Sequence, residues 1–169
     1  MYRQSPDADL GVLKNFLRIL MRKYRVVLLK FRLKSKVIIR GNFHFGPNCR
    51  FMVPERIEIG NDVSIGADFF LQTNLRIGDD CLFSSRVSIV GHDHYLFDRE
   101  RTTYWSGRTE PSLVTLEGSN FIGFGATIVG SVVIGRGSIV AAGAVVVKDV
   151  PENCVVAGVP ARVIKKRFE

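Results

Sequence analysis

Every sixth residue from Ile59 to Ile89 is apolar: Ile59, Ile65, Leu71, Ile77, Phe83 and Ile89. Two positions before each stand Ile57, Val63, Phe69, Leu75, Cys81 and Val87, apolar again. Gly60, Gly66 and Gly78 directly follow members of the first set. The register restarts at Leu116 and runs through Ile122, Ile128, Ile134, Val140 and Val146. Here Gly123 and Gly135 follow, and Ala126, Val132 and Ala144 stand two positions before. A helix repeats at about 3.6 residues and a flat strand at about 2. Six fits one short strand plus one turn, and three such units close a triangular coil of about 18 residues. The aliphatic residue points into the prism. The small residue after it sits near the corner, where a side chain would crowd the turn or φ must be positive. No coil buries its face alone, so stacked coils stabilise one another. A β-sandwich would instead need period 2 and turns every 8–12 residues or so.

The expected architecture is therefore all-β: a left-handed parallel β-helix of hexapeptide repeats, whose hand departs from the usual right-handed crossover. Ile89 and Leu116 are 27 residues apart, not a multiple of six, so an inserted loop of about 90–115 interrupts the repeat. Loops of this length without structure of their own are usually functional or disordered, and a packing loop is the bland alternative. This one is polar and aromatic, with Tyr95, Asp98, Arg99, Glu100, Arg101, Tyr104, Trp105 and Arg108.

The N-terminal segment reads differently. Leu10, Leu13, Leu17, Leu20/Met21, Tyr24, Leu28 and Phe31 recur at helical spacing over residues 10–33, with Lys14, Arg18, Arg22 and Arg25 on a neighbouring stripe. Val26 to Ile39 is β-branched enough to be partly strand. Residues 1–36 carry ten basic and two acidic residues, so they account for the whole net charge of +8. Residues 37–169 sum to zero, and no nucleic-acid partner is expected from the pI. The chain divides into a basic amphipathic segment, 1–36, and a β-helix domain, 37–169. A basic amphipathic segment of this kind suits a peripheral membrane contact through residues 10–33. Packing on its own prism, on a neighbouring subunit, or on another glycan-assembly protein are the competing readings. No run of 18 uncharged apolar residues exists, so no transmembrane helix is expected. No cleavable signal pattern is visible, and three widely spaced cysteines argue for a reducing compartment. A cytoplasmic location, peripheral on the inner face of the membrane if the segment anchors there, is the expectation.

Over about residues 37–169 the chain resembles the hexapeptide-repeat acyltransferases, in particular the galactoside, maltose and polysaccharide O-acetyltransferases. The resemblance rests on the repeat, on Gly91-His92-Asp93-His94, and on the tail, Val147-Lys148-Asp149-Val150-Pro151-Glu152-Asn153 and Ala157-Gly158-Val159-Pro160-Ala161-Arg162-Val163-Ile164. It implies a homotrimer with acetyl-CoA as cosubstrate in clefts between prisms. It also implies His92 as general base of a direct transfer to a sugar acceptor, with no acyl-enzyme; a lipid-linked saccharide acceptor is the expectation that the basic N-terminal segment adds. An imidazole is suited to taking a hydroxyl proton near neutral pH. Asp93, His94, Tyr95 and Trp105 are candidate acceptor contacts. Gly123, Ala142 and Gly143 offer a small-residue edge for pantetheine, and Lys148, Arg162 and Lys165 are candidate phosphate partners. No metal site is expected. Phe121, Phe124 and the lack of an acceptor-binding Asn near Gly66 depart from the galactoside type, so a free galactoside or maltose is not the expected acceptor.

Three other functions fit the same prism: N-acetyl transfer to a nucleotide-linked amino sugar, a zinc lyase of the carbonic anhydrase kind, and a non-catalytic trimeric scaffold. The zinc lyase needs a third histidine beside His92 and His94, and His44 lies coils away.

Overall fold

The computed structural model describes residues 11–91 and 93–168. Three strand columns build a triangular prism. Sheet A stacks β1 (Val37–Ile39), β4 (Ile57–Ile59), β7 (Asn74–Ile77), β10 (Leu113–Leu116) and β13 (Val133–Ile134). Sheet B stacks β2 (Phe43–Phe45), β5 (Val63–Ile65), β8 (Leu82–Phe83), β11 (Phe121–Ile122), β14 (Ile139–Val140), β16 (Cys154–Ala157) and β17 (Arg162–Lys166). Sheet C stacks β3 (Arg50–Phe51), β6 (Phe70–Leu71), β9 (Ser88–Val90), β12 (Thr127–Val129) and β15 (Val145–Val146). All neighbours pair in parallel except β17, which folds back antiparallel on β16.

The register follows the hexad. Ile59 pairs with Ile77, Ile65 with Phe83 and Leu71 with Ile89, each one 18-residue coil apart. Both apolar sets are buried, Ile57, Ile59, Phe69, Leu71, Val87 and Ile89 completely. Burying an aliphatic or aromatic side chain contributes about 1.5–3 kcal/mol, so the columns supply the driving force. The core tapers. Phe43, Phe45, Phe51, Phe69 and Phe83 form a run of neighbouring rings, 5.1 to 5.8 Å between centroids, at the N-terminal end. Ile, Val and Ala fill the C-terminal coils.

The small residue after each core aliphatic and the residue with positive φ are different residues. A Cβ on Gly123 would lie 2.5 Å from the Ala142 nitrogen of the next coil, so that glycine is steric. Positive φ falls two residues later, at Asp62, Asp80, Gly125 and Gly143 among others.

Helix α1 (Val12–Leu33) and a 3-10 turn (Lys34–Lys36) lead directly into β1. Of the stretch read as partly strand, only Val37–Ile39 is strand; Val26 to Leu33 stays helical because Leu29 and Leu33 are buried in the core. The helix is inverted relative to an ordinary surface amphipath. Leu13, Leu17, Tyr24, Leu28 and Phe31 face outward, with Phe31 80% exposed. The side toward the prism carries Arg25 and Arg32 with Leu29 and Leu33. Arg25 Nη1 donates to the Phe45 carbonyl at 3.2 Å and Arg32 Nη2 to the Phe51 carbonyl at 2.9 Å. Lys36 Nζ donates to the Pro54 carbonyl at 2.6 Å. These cations satisfy carbonyls of the first coil, which has no preceding coil to pair with.

Candidate active site

The insertion leaves between β9 and β10, at the corner joining sheets C and A. It is rooted by a short antiparallel stem. His94 and Arg108 form an antiparallel bridge. Thr109 N–H donates to the Asp93 carbonyl at 2.7 Å, and Tyr95 N–H to the Gly107 carbonyl at 3.3 Å. At the base, Ser112 N–H and its hydroxyl both donate to the Gly91 carbonyl. His92 lies outside the described residues; the stem begins with the residues that follow it.

Asp93 is exposed, and its Oδ1 accepts from the His94 N–H at 2.8 Å. His94 is half-buried, and its Nδ1 is buried without a hydrogen-bond partner. His94 and Tyr95 line a cavity of about 390 Å³ together with Phe97, Asp98, Arg101 and Thr109. Asp98 organises the far side. Its Oδ1 accepts from the N–H groups of Glu100 and Arg101 at 2.9 and 3.0 Å, and Arg101 Nε reaches its Oδ2 at 2.8 Å. The Glu100 N–H first, then the Arg101 N–H and guanidinium, hold the Asp98 carboxyl below its ordinary value. Trp105 does not line this cavity. It sits in a 3-10 turn (Thr103–Trp105), 73% exposed, edge-on to Tyr104 with centroids 4.8 Å apart.

The candidate cofactor residues divide between two corners. Gly123 and Ala142-Gly143 stack at the corner of sheets B and C. A Cβ on Gly125 or Gly143 would meet nothing within 4 Å, so the backbone edge there is open. Arg162 joins the same corner: it pairs with Ala157, while the preceding Ala161 N–H donates to the Val145 carbonyl at 2.8 Å. Lys165 lies on the exposed β17 opposite Val155. Lys148 stands at the other corner, C to A, between β15 and the Val150 bridge to Ile134. That is the corner from which the insertion leaves, two coils or about 10 Å further along the stack. An open small-residue edge with exposed cations beside it fits an extended, phosphate-bearing arm.

One candidate escaped the sequence. Arg86, at φ 61°, carries its guanidinium 5.6 Å from the Phe124 ring centre, at the same corner as Gly123. These residues are distant in sequence, and the only local signal was an arginine where the coil turns. His44 lies on sheet B with its Nε2 2.9 Å from Ser64 Oγ, away from the stem.

The stacked coils define the class: a hexapeptide-repeat β-helix protein. No family model matches the sequence. An inferred acetyltransferase of Saccharomyces cerevisiae, YJL218W, is 30% identical over 184 residues, spanning 100% of this chain and 89% of its own. WbbJ of Escherichia coli, an inferred lipopolysaccharide biosynthesis O-acetyltransferase, is 30% identical over 88% of this chain and 82% of its own. The hexapeptide-repeat acetyltransferase VCA0836 of Vibrio cholerae, in complex with acetyl-CoA, superposes with a TM-score of 0.69 at 26% identity, covering 87% of this chain and 79% of that one. The chain belongs to the hexapeptide-repeat acetyltransferases.

Proposed function

We propose that this acetyltransferase is an acetyl-CoA-dependent O-acetyltransferase of a sugar hydroxyl in surface polysaccharide or glycan biosynthesis. The observation that carries the reading is the antiparallel stem, which fixes the residues flanking His92 at the corner shared with Lys148. His92 takes the proton of the acceptor hydroxyl as its oxygen attacks the thioester carbonyl, so no acyl-enzyme forms. His94 and Tyr95 line the acceptor side, with Asp93 at its edge and Trp105 further out on the insertion. Gly123, Ala142, Gly143 and Arg162 flank the donor's arm, with Lys148 and Lys165 available to its phosphates.

A homotrimer explains the division between corners. The C–A corner of one prism, with its stem and Lys148, faces the B–C corner of the next. The donor then lies in the cleft between them. The outward apolar stripe of α1, flanked by Lys14, Lys23 and Lys30, suits contact with an anionic membrane surface on the cytoplasmic side. Among the described residues no helix is long and apolar enough to cross a membrane.

The test is acetyl-CoA consumption against a panel of lipid-linked and nucleotide-linked sugars, with and without His92→Ala. Turnover should fall about 100-fold or more, while acetyl-CoA affinity is retained. Near-normal turnover rejects His92 as base. A modest loss with an amino-sugar acceptor moves the reading to N-acetylation.

A further inference from the structure

A groove of about 780 Å³ runs between the end of α1 and the insertion. Arg32, Lys34 and Lys36 line it from the helix end, and Arg108 lines it from the stem. Among the described residues, none that lines it is acidic. Its apolar wall includes Met52, 56% exposed, and the buried Val53. From this cationic rim and apolar wall we infer that the groove binds the diphosphate of a lipid-linked saccharide. The acceptor would then enter as a prenyl-diphosphate-linked sugar. The inference rests on the acyl-transfer reading above and narrows its acceptor.

Two of the cations are fixed by the fold. Arg32 is tied to the Phe51 carbonyl, and Lys36 to the carbonyls of Pro54 and, at 3.4 Å, Val53. An arginine has five N–H donors and a lysine three, so both keep donors for a ligand. Lys34 reaches the groove from a positive-φ backbone, φ 51° and ψ −122°, which residues with a side chain rarely adopt. Four cations converging on one groove favour a multiply charged anion. The apolar wall adds what a free phosphate would not use, room for the first units of a hydrocarbon chain.

The groove leads toward the candidate active site. Gln72 lines it, and the Gln72 N–H donates to the Ile89 carbonyl at 2.9 Å. Gln72 therefore lies one coil, about 4.8 Å, from Val90 and Gly91 where the insertion begins. Arg108 is the bridge partner of His94. A diphosphate held by Arg32, Lys34, Lys36 and Arg108 sets its attached sugar toward that stem. Beside the groove, the outward apolar stripe of α1 would rest on the bilayer from which such a lipid comes.

The experiment is calorimetric titration of the full chain, saturated with coenzyme A to occupy the donor site. Geranyl diphosphate and inorganic pyrophosphate are the probes. Geranyl diphosphate should bind at least about tenfold more tightly than pyrophosphate, and Lys34→Glu with Arg108→Glu should weaken it by about tenfold or more. Both residues are exposed, and the pair Lys34→Ala with Arg108→Ala should shift affinity in the same direction. Absence of saturable binding, or unchanged affinity in both double variants, overturns the inference. Equal affinity for pyrophosphate assigns the groove to free phosphate and overturns the lipid assignment. Coenzyme A binding and acetyl transfer to a soluble sugar report separately on the acyl-transfer reading, so the two failures are distinguishable.

Discussion

Arg32, on the last turn of α1, donates from Nη2 to the Phe51 carbonyl at 2.9 Å, so a helix side chain takes the place of a missing coil. Removing that donor leaves a carbonyl at the sheet end with only solvent to satisfy it. Arg32→Ala should cost about 1–2 kcal/mol, the range of a charge-assisted bond at a half-exposed site. Urea unfolding checks this; an unchanged midpoint would show that water replaces the guanidinium without loss.

Two glycines at one corner should fail for different reasons. Gly123→Ala forces a Cβ against the Ala142 nitrogen and should cost about 1–3 kcal/mol through coil displacement. Gly143→Ala has open space but φ 68°, and should cost about 1–2 kcal/mol from backbone strain. Asparagine should recover much of the loss at Gly143 and none at Gly123. Thermal unfolding of the four variants separates the two causes.

Asp98 links the insertion to pH. Its folded-state pKa is depressed below the ordinary 3.8, led by the hydrogen bond from the Glu100 N–H. A depressed carboxyl contributes order that is fully present above that ordinary value and is lost as pH falls through the folded one. The insertion should therefore loosen below about pH 3.8. Trp105, the single tryptophan, lies in the same loop and reports on it by fluorescence. Asp98→Asn should show the loosened emission already at neutral pH and a flat acid titration.

All three cysteines are free thiols. Burial pushes the Cys81 thiol up to about 11, so almost no thiolate exists near pH 8. Cys81 should resist iodoacetamide in the folded protein and react within minutes in urea. Mass spectrometry of alkylated peptides decides it; rapid native labelling would mean the coil opens locally.

The hexad made most coils legible, because their spacing is dictated by strand length and turn. The first coil was harder to link. Ile39, Phe45 and Phe51 keep the spacing of six, but Phe51 to Ile59 is eight residues, so the paired strands there are offset by 20. The last coil slips the other way, with Val140 paired to Val156. On α1 the apolar stripe was visible, but which side of the helix meets the prism was not. Carbonyls at a sheet end call for donors, and periodicity alone does not register that demand. At the candidate site the stem residues were recognisable as a motif. The division of Gly123 and Lys148 between corners was not, because it depends on which sheet each strand joins. Arg86 beside Phe124 was invisible for a related reason: the insertion lengthens the step between their strands, β8 and β11, to 39 residues.

The closure at Gly91 and Ser112 has a consequence for how such enzymes diversify. Ser112 returns to the Gly91 carbonyl and then meets Asn74, whose N–H donates to the Ser112 carbonyl at 3.0 Å. The excursion thus departs and rejoins at one doorway, leaving the aliphatic pillars on either side undisturbed. A lineage can lengthen, shorten or exchange that excursion and meet a new saccharide without rebuilding the tower that carries it.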